Sequence, residues 1–95
     1  MMWSDVALEM ASSVAARVSK QHSGVFLFRL VIDDGRFSSE VAQWSVDAQT
    51  PALAQAMTEQ RVHMALSGRY GKFRGTIQVL ANGKPFLSKW VNVDG

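Results

Sequence analysis

The chain has no cysteine. No disulfide can brace its core and no thiolate can hold a metal, which removes disulfide scaffolds and Cys-based zinc sites from consideration. Prolines number only two, and no Gly/Ser/Pro-rich segment interrupts the pattern, so nothing reads as a linker. No run approaches the ~20 consecutive apolar residues of a membrane span. The most informative shortage is of acid. Between Gln60 and Val93 there is no Asp or Glu, against six Lys or Arg. Residues 1–59 carry four Lys or Arg against seven Asp or Glu. A chain of formal charge +2 is thus acidic in its first part and basic in its last.

What is present belongs to a globular protein. Hydrophobic residues make up 47% and charged ones 19%, too apolar a balance for a disordered chain. At 95 residues a single domain, 1–95, is expected, with a modest core. The opening segment MMWSDVALEM carries Asp5 and Glu9 where a secretory signal needs a basic start and an apolar run. A soluble, cytoplasmic protein is expected, with no membrane contact.

Residues 4–20 read as a helix. Ser4 suits an N-cap, and Asp5 and Glu9 lie toward the positive end of the dipole. Val6, Met10, Val14 and Val18 form an apolar stripe with Ala7, Ala11 and Ala15 beside it. Residues 25–32 are apolar on both alternating faces, which predicts a central strand covered on two sides. Asp34-Gly35 predicts a two-residue hairpin turn, with Arg29 facing Glu40, Asp33 facing Arg36, and a return strand from Phe37 to about Val46. Thr50-Pro51 opens a second helix over 50–66, with Leu53, Ala56, Met57 and Met64 on one face. Val62, Met64 and Leu66 also alternate, so 61–67 fits helix or strand, helix being favoured. Asn82-Gly83 marks a second hairpin, 73–80 and 85–93. A plain two-residue register puts Phe73, Ile77, Val79, Phe86 and Trp90 on the core face. Arg74, Thr76, Gln78, Leu80, Leu87, Lys89, Val91 and Val93 fall on the other.

The expected class is α+β. The order α-β-β-α-β-β gives a four-stranded, mainly antiparallel sheet with two helices on one face. It divides into two helix–hairpin units, about 1–47 and 48–95. The order differs from that of a double-stranded RNA-binding domain, which needs three consecutive strands and a C-terminal helix.

Two surfaces are candidates for binding. The segment from Arg69 to Gly75 interleaves cations, aromatics and glycines. Arg61, Arg69, Lys72, Arg74, Lys84 and Lys89 would meet a polyanion or an acidic protein, with Tyr70 free to stack on a base. Lys84 and Lys89 also suit edge-strand protection, and Phe73 a core plug. The second candidate is apolar. Two helices cover one sheet face and leave the other bare. Trp3, Trp44, Leu80, Leu87, Val91 and Val93 are the expected interface on it.

Catalysis has thin support. Asp33 and Asp34 precede a glycine, which is turn chemistry, although with Glu40 they make a carboxylate group. His22 and His63, brought close, would suit an acid–base ribonuclease, but no partner cluster accompanies them. There is no P-loop, dinucleotide fingerprint or G-x-S-x-G. No catalytic residue, metal, cofactor or small-molecule substrate is expected. The expected function is a small non-catalytic binding module that associates with protein, itself included, as an adaptor, inhibitor, phage-type accessory protein or accessory subunit. The alternative is nucleic-acid binding through the basic 61–89 region.

Overall fold

The computed structural model describes residues 2–22, 24–47, 50–69 and 71–94. Helix α1 spans Trp3–Gln21 and buries its expected stripe, Val6, Met10, Val14 and Val18, together with all three flanking alanines. Its N-cap is Met2, two residues before the predicted Ser4. The Asp5 carboxylate accepts the Met2 backbone N–H at 3.2 Å, so an acidic side chain in the first turn secures the end instead.

Helix α2 spans Pro51–Leu66. The Thr50 hydroxyl accepts the Leu53 N–H at 3.2 Å, and Pro51 takes the first helical position. The segment 61–66 is helical and Ser67 ends it. The buried face is not the expected one. Ala54, Thr58, Val62 and Leu66 point inward, whereas Leu53, Ala56 and Met64 are exposed and Met57 is half-buried. The helix packs on α1 and on the second strand, and small Ala54 and Thr58 permit that approach where leucine and methionine would not.

Strands β1 (Val25–Asp33), β2 (Ser38–Asp47), β3 (Phe73–Ala81) and β4 (Lys84–Val93) form one antiparallel sheet in the order β2-β1-β3-β4. The two helix–hairpin units thus join through their first strands. Both helices lie on one face. Phe28 and Leu30 of β1 meet Trp44, Val46, Ile77 and Val79 there, with the Phe28 and Trp44 rings stacked at 5.5 Å. β1 is central, but its other face is open. Val25 and Leu27 are exposed, and Arg29 and Val31 half-buried, so covering on one side suffices for a central strand in an antiparallel sheet.

Both hairpins differ from the predicted register by a bulge. The first turn is a four-residue loop, 34–37. The Asp33 carboxylate accepts Gly35 N–H at 2.8 Å, and Asp34 accepts Arg36 and Phe37 N–H, each at 2.9 Å. Positive φ occurs at Gly35 but not at Asp34, so the expected two-residue turn does not form, and Asp33 pairs with Ser38 instead of Arg36. Val41 is then the extra residue of a bulge, and it joins Ala42 in the core. Arg29 reaches Glu40 as expected and forms an ion pair, but diagonally: Glu40 stands opposite Val31.

The second turn is the predicted one. Asn82 (φ 49°) and Gly83 (φ 81°) both take positive φ, and Ala81 pairs with Lys84. Asn82 also latches onto the neighbouring strand. Its side-chain oxygen accepts Leu27 N–H and its own N–H donates to the Leu27 carbonyl, both at 2.8 Å. Beyond the turn the register slips. Leu80 pairs with Pro85 but Val79 with Leu87, so Phe86 is the extra residue. Every later β4 side chain is thereby reversed. Leu87, Lys89, Val91 and Val93 fall on the helix side, and Ser88, Trp90 and Asn92 on the open side.

Candidate functional site

The reversed β4 rewrites the apolar surface. Trp3 and Trp44 are each 5% exposed and belong to the core; Trp3 packs on Phe73 with ring centroids 5.6 Å apart. Val91 is buried, and Leu87 and Val93 pack half-buried against the same cluster. These five are core, not interface: the bulge at Phe86 reverses Leu87, Val91 and Val93, the bulge at Val41 turns Trp44 to the helix side, and Trp3 is carried by α1 onto Phe73. Leu80 alone of the predicted set lies on the open face, buried there apart from the main cluster.

The open face carries a different set. Trp90, placed by the sequence in the core, is 59% exposed. Val25 and Leu27 are exposed at the far end of β1. Around them, cross-strand pairs tie the surface down. The Gln78 amide donates to the Ser88 hydroxyl at 3.0 Å, Arg29 pairs with Glu40, and the Arg74 guanidinium carbon lies 5.9 Å from the Trp90 ring centroid. Beside Trp90, an open cleft of about 510 Å³ runs to the first turn and is lined by Asp33, Asp34, Arg74 and Thr76.

The basic residues do not gather. Arg74 is on the open face, and exposed Lys72 stands just before β3. Lys89 pairs with Ile77 and so lies on the helix side, where it shares a groove with Glu9. Lys84 sits at the Asn82-Gly83 turn, the end of the sheet away from Arg74. Arg61 is exposed on α2. Arg69 lines a pocket with Asp5 and His63 between the start of α1 and the end of α2. Tyr70, the predicted stacking ring, lies outside the described residues. On the open face itself, Arg29 and Arg74 are matched by Glu40, Asp33 and Asp47, which strand alternation puts on the same side.

Nor do the two histidines meet. His22 ends α1 and packs on Phe26, ring centroids 5.9 Å apart, while His63 lies near the end of the antiparallel α2, at the other end of the helix pair. Among the described residues, no three His, Asp or Glu side chains converge as a metal would require. The Asp33–Asp34 pair serves the turn. Backbone N–H bonds from Phe37, then from Arg36, hold the Asp34 carboxyl below its ordinary range. No helix among the described residues is long and apolar enough to cross a membrane.

The chain matches no protein-family model, no curated protein and no solved structure.

Proposed function

We infer that this protein is a non-catalytic association module whose open sheet face docks a protein partner. The observation that carries the reading is that both helices lie on one side of the sheet while Trp90, Val25 and Leu27 stand exposed on the other. An indole that is 59% exposed beside an arginine has the composition of an interface anchor, since aromatic and Arg side chains carry most binding energy at protein contacts. The Gln78–Ser88 and Arg29–Glu40 pairs lie between Trp90 and the Val25–Leu27 end and make the middle of the face polar. An adaptor, inhibitor or accessory subunit would work through such a face. A cytoplasmic setting is part of the proposal, since the fold is held without any disulfide of the kind oxidising compartments favour.

The dispersal of the cations weighs against the polyanion reading. Phosphate binding needs positive charge along one track, and here Arg61, Lys84 and Lys89 are separated from Lys72 and Arg74. The test is capture from cell lysate with immobilised wild type, Leu27→Lys and Trp90→Lys, beside anisotropy of labelled single-stranded DNA, duplex DNA and RNA. A protein retained by wild type and lost with both variants supports the reading. Retention that ignores both substitutions sinks it. So does micromolar nucleic-acid binding that falls steeply between about 50 and about 200 mM salt, the mark of phosphate contacts.

A further inference from the structure

We propose that β4 pairs antiparallel with β4 of a second copy across a two-fold axis at Trp90, joining two sheets into one of eight strands. The proposal deepens the association reading above, on which it rests for the role of the open face.

The sheet has two edges, and they differ. The β2 edge presents Ser39, Glu40, Gln43, Ser45 and Asp47, all exposed and polar. The β4 edge presents the two most exposed aromatic residues of any strand, Trp90 and Phe86. A ten-residue edge strand with unpaired backbone groups and apolar side chains is a template for another strand. On its helix side, a groove of about 240 Å³ lies between α1 and β4, lined by Val6, Met10, Leu87, Glu9 and Lys89. It leaves room for the side chains of an added strand.

The strand is complementary to itself in a register centred on Trp90. Centred on Trp90, the pairing sets Leu87 against Val93 of the second copy, Ser88 against Asn92, Lys89 against Val91 and Trp90 against Trp90. Apolar meets apolar on the helix side, with the Lys89 stem lying along a valine. Hydroxyl meets amide and indole meets indole on the open side. No like charges are directly opposed. A shift of the axis to Lys89 would set lysine against lysine, which disfavours that register. Pro85, which has no N–H to give to a ladder, falls outside the paired segment. The axis stands perpendicular to the sheet, so both open faces lie on the same side. The dimer therefore presents one surface of double width to a partner.

A cysteine-free chain makes the test direct. Facing residues of an antiparallel pair have Cβ atoms about 5 Å apart, close to what a disulfide spans. Under mild oxidation, the double variant Ser88→Cys, Asn92→Cys, whose two positions face each other across the two-fold and which keeps Trp90, is expected to form a disulfide dimer, and Leu27→Cys, two strands away, is not. By sedimentation at about 100 μM, a range that detects weak association, wild type is expected to be dimeric. Trp90→Lys is expected to weaken that dimer about tenfold or more, as loss of an interface anchor does, without lowering the melting temperature at low protein concentration, where dimer linkage is small. A monomeric wild type overturns the edge pairing. Equal cross-linking through Leu27→Cys also overturns it, because copies would then meet face to face. Either result leaves the docking face standing if lysate capture still depends on Leu27 and Trp90. Loss of capture specificity with an intact cross-link between positions 88 and 92 would sink the docking face alone.

Discussion

The Trp44 indole N–H donates to the Thr58 hydroxyl at 3.0 Å, and both side chains are buried. The bond ties an edge strand to α2 where the sheet face is otherwise apolar. A buried donor with no partner loses its hydration without replacement, which costs about 1–3 kcal/mol. Thr58→Val keeps the shape and removes the acceptor, so urea unfolding is expected to show a loss of that size. Combining it with Trp44→Phe should cost less than the two separate losses added, because the second change deletes the orphaned donor. Strict additivity would mean that the bond contributes nothing to stability.

Gly75 faces a tighter constraint. A Cβ at that position would stand 2.1 Å from the Asp33 carbonyl oxygen, and the obstacle is backbone, which cannot swing aside. The contact lies at the junction of β1 and β3, the strands that join the two halves of the molecule. Gly75→Ala is expected to destabilise by roughly 3 kcal/mol or more, in the range of severe core lesions. Circular dichroism melting checks it. A variant within about 0.5 kcal/mol of wild type, the spread of neutral surface changes, would contradict the close approach.

Much of this fold is legible in the chain. Periodicity at Val6, Met10, Val14 and Val18 gives α1, Thr50-Pro51 gives the start of α2, and Asn82-Gly83 gives the second turn. What does not show is the pair of bulges. Val41 and Phe86 look like ordinary strand residues, and a bulge has no local signature of its own. After Phe86 the sequence Leu-Ser-Lys-Trp-Val-Asn-Val offers apolar residues in both phases. Hydrophobicity alone therefore cannot choose between Trp90 and Val91 for the core. Packing beneath α1 chooses Val91, and one inserted residue exchanges the two faces. The candidate surface is hidden for the same reason, since a plain two-residue register points Arg74 and Trp90 to opposite faces. α2 presents a similar ambiguity. It has two apolar stripes, and the one with smaller residues is buried because the helices approach closely.

The Asp34 carboxyl offers a pH prediction. Its pKa in the folded state lies below the ordinary 3.8, chiefly through the Phe37 and Arg36 N–H bonds. Its contribution to the 34–37 loop is therefore fully present above 3.8 and disappears as pH falls through the lower folded value. NMR titration should give a carboxyl midpoint below 3.8, with the Arg36 and Phe37 amide shifts following the same curve. Asp34→Asn keeps an acceptor oxygen and should flatten that curve while preserving the turn. A midpoint at or above the ordinary value would show that the loop does not hold the ionised form.

The exchange of faces on β4 makes the sharpest contrast between neighbouring positions. Val91 is buried beneath α1, so Val91→Lys would force an unpaired ammonium into the core, at a cost of about 3 kcal/mol or more. Trp90 is one residue away and exposed, so Trp90→Lys should change monomer stability by no more than about 0.5 kcal/mol while weakening association. A hairpin without the bulge predicts the reverse, with Trp90→Lys unfolding the protein and Val91→Lys harmless. Denaturant melts of the two variants at low protein concentration, where dimer linkage is small, separate these registers. They also decide which face can dock anything, because Trp90 lies on the open face only if Phe86 is the extra residue.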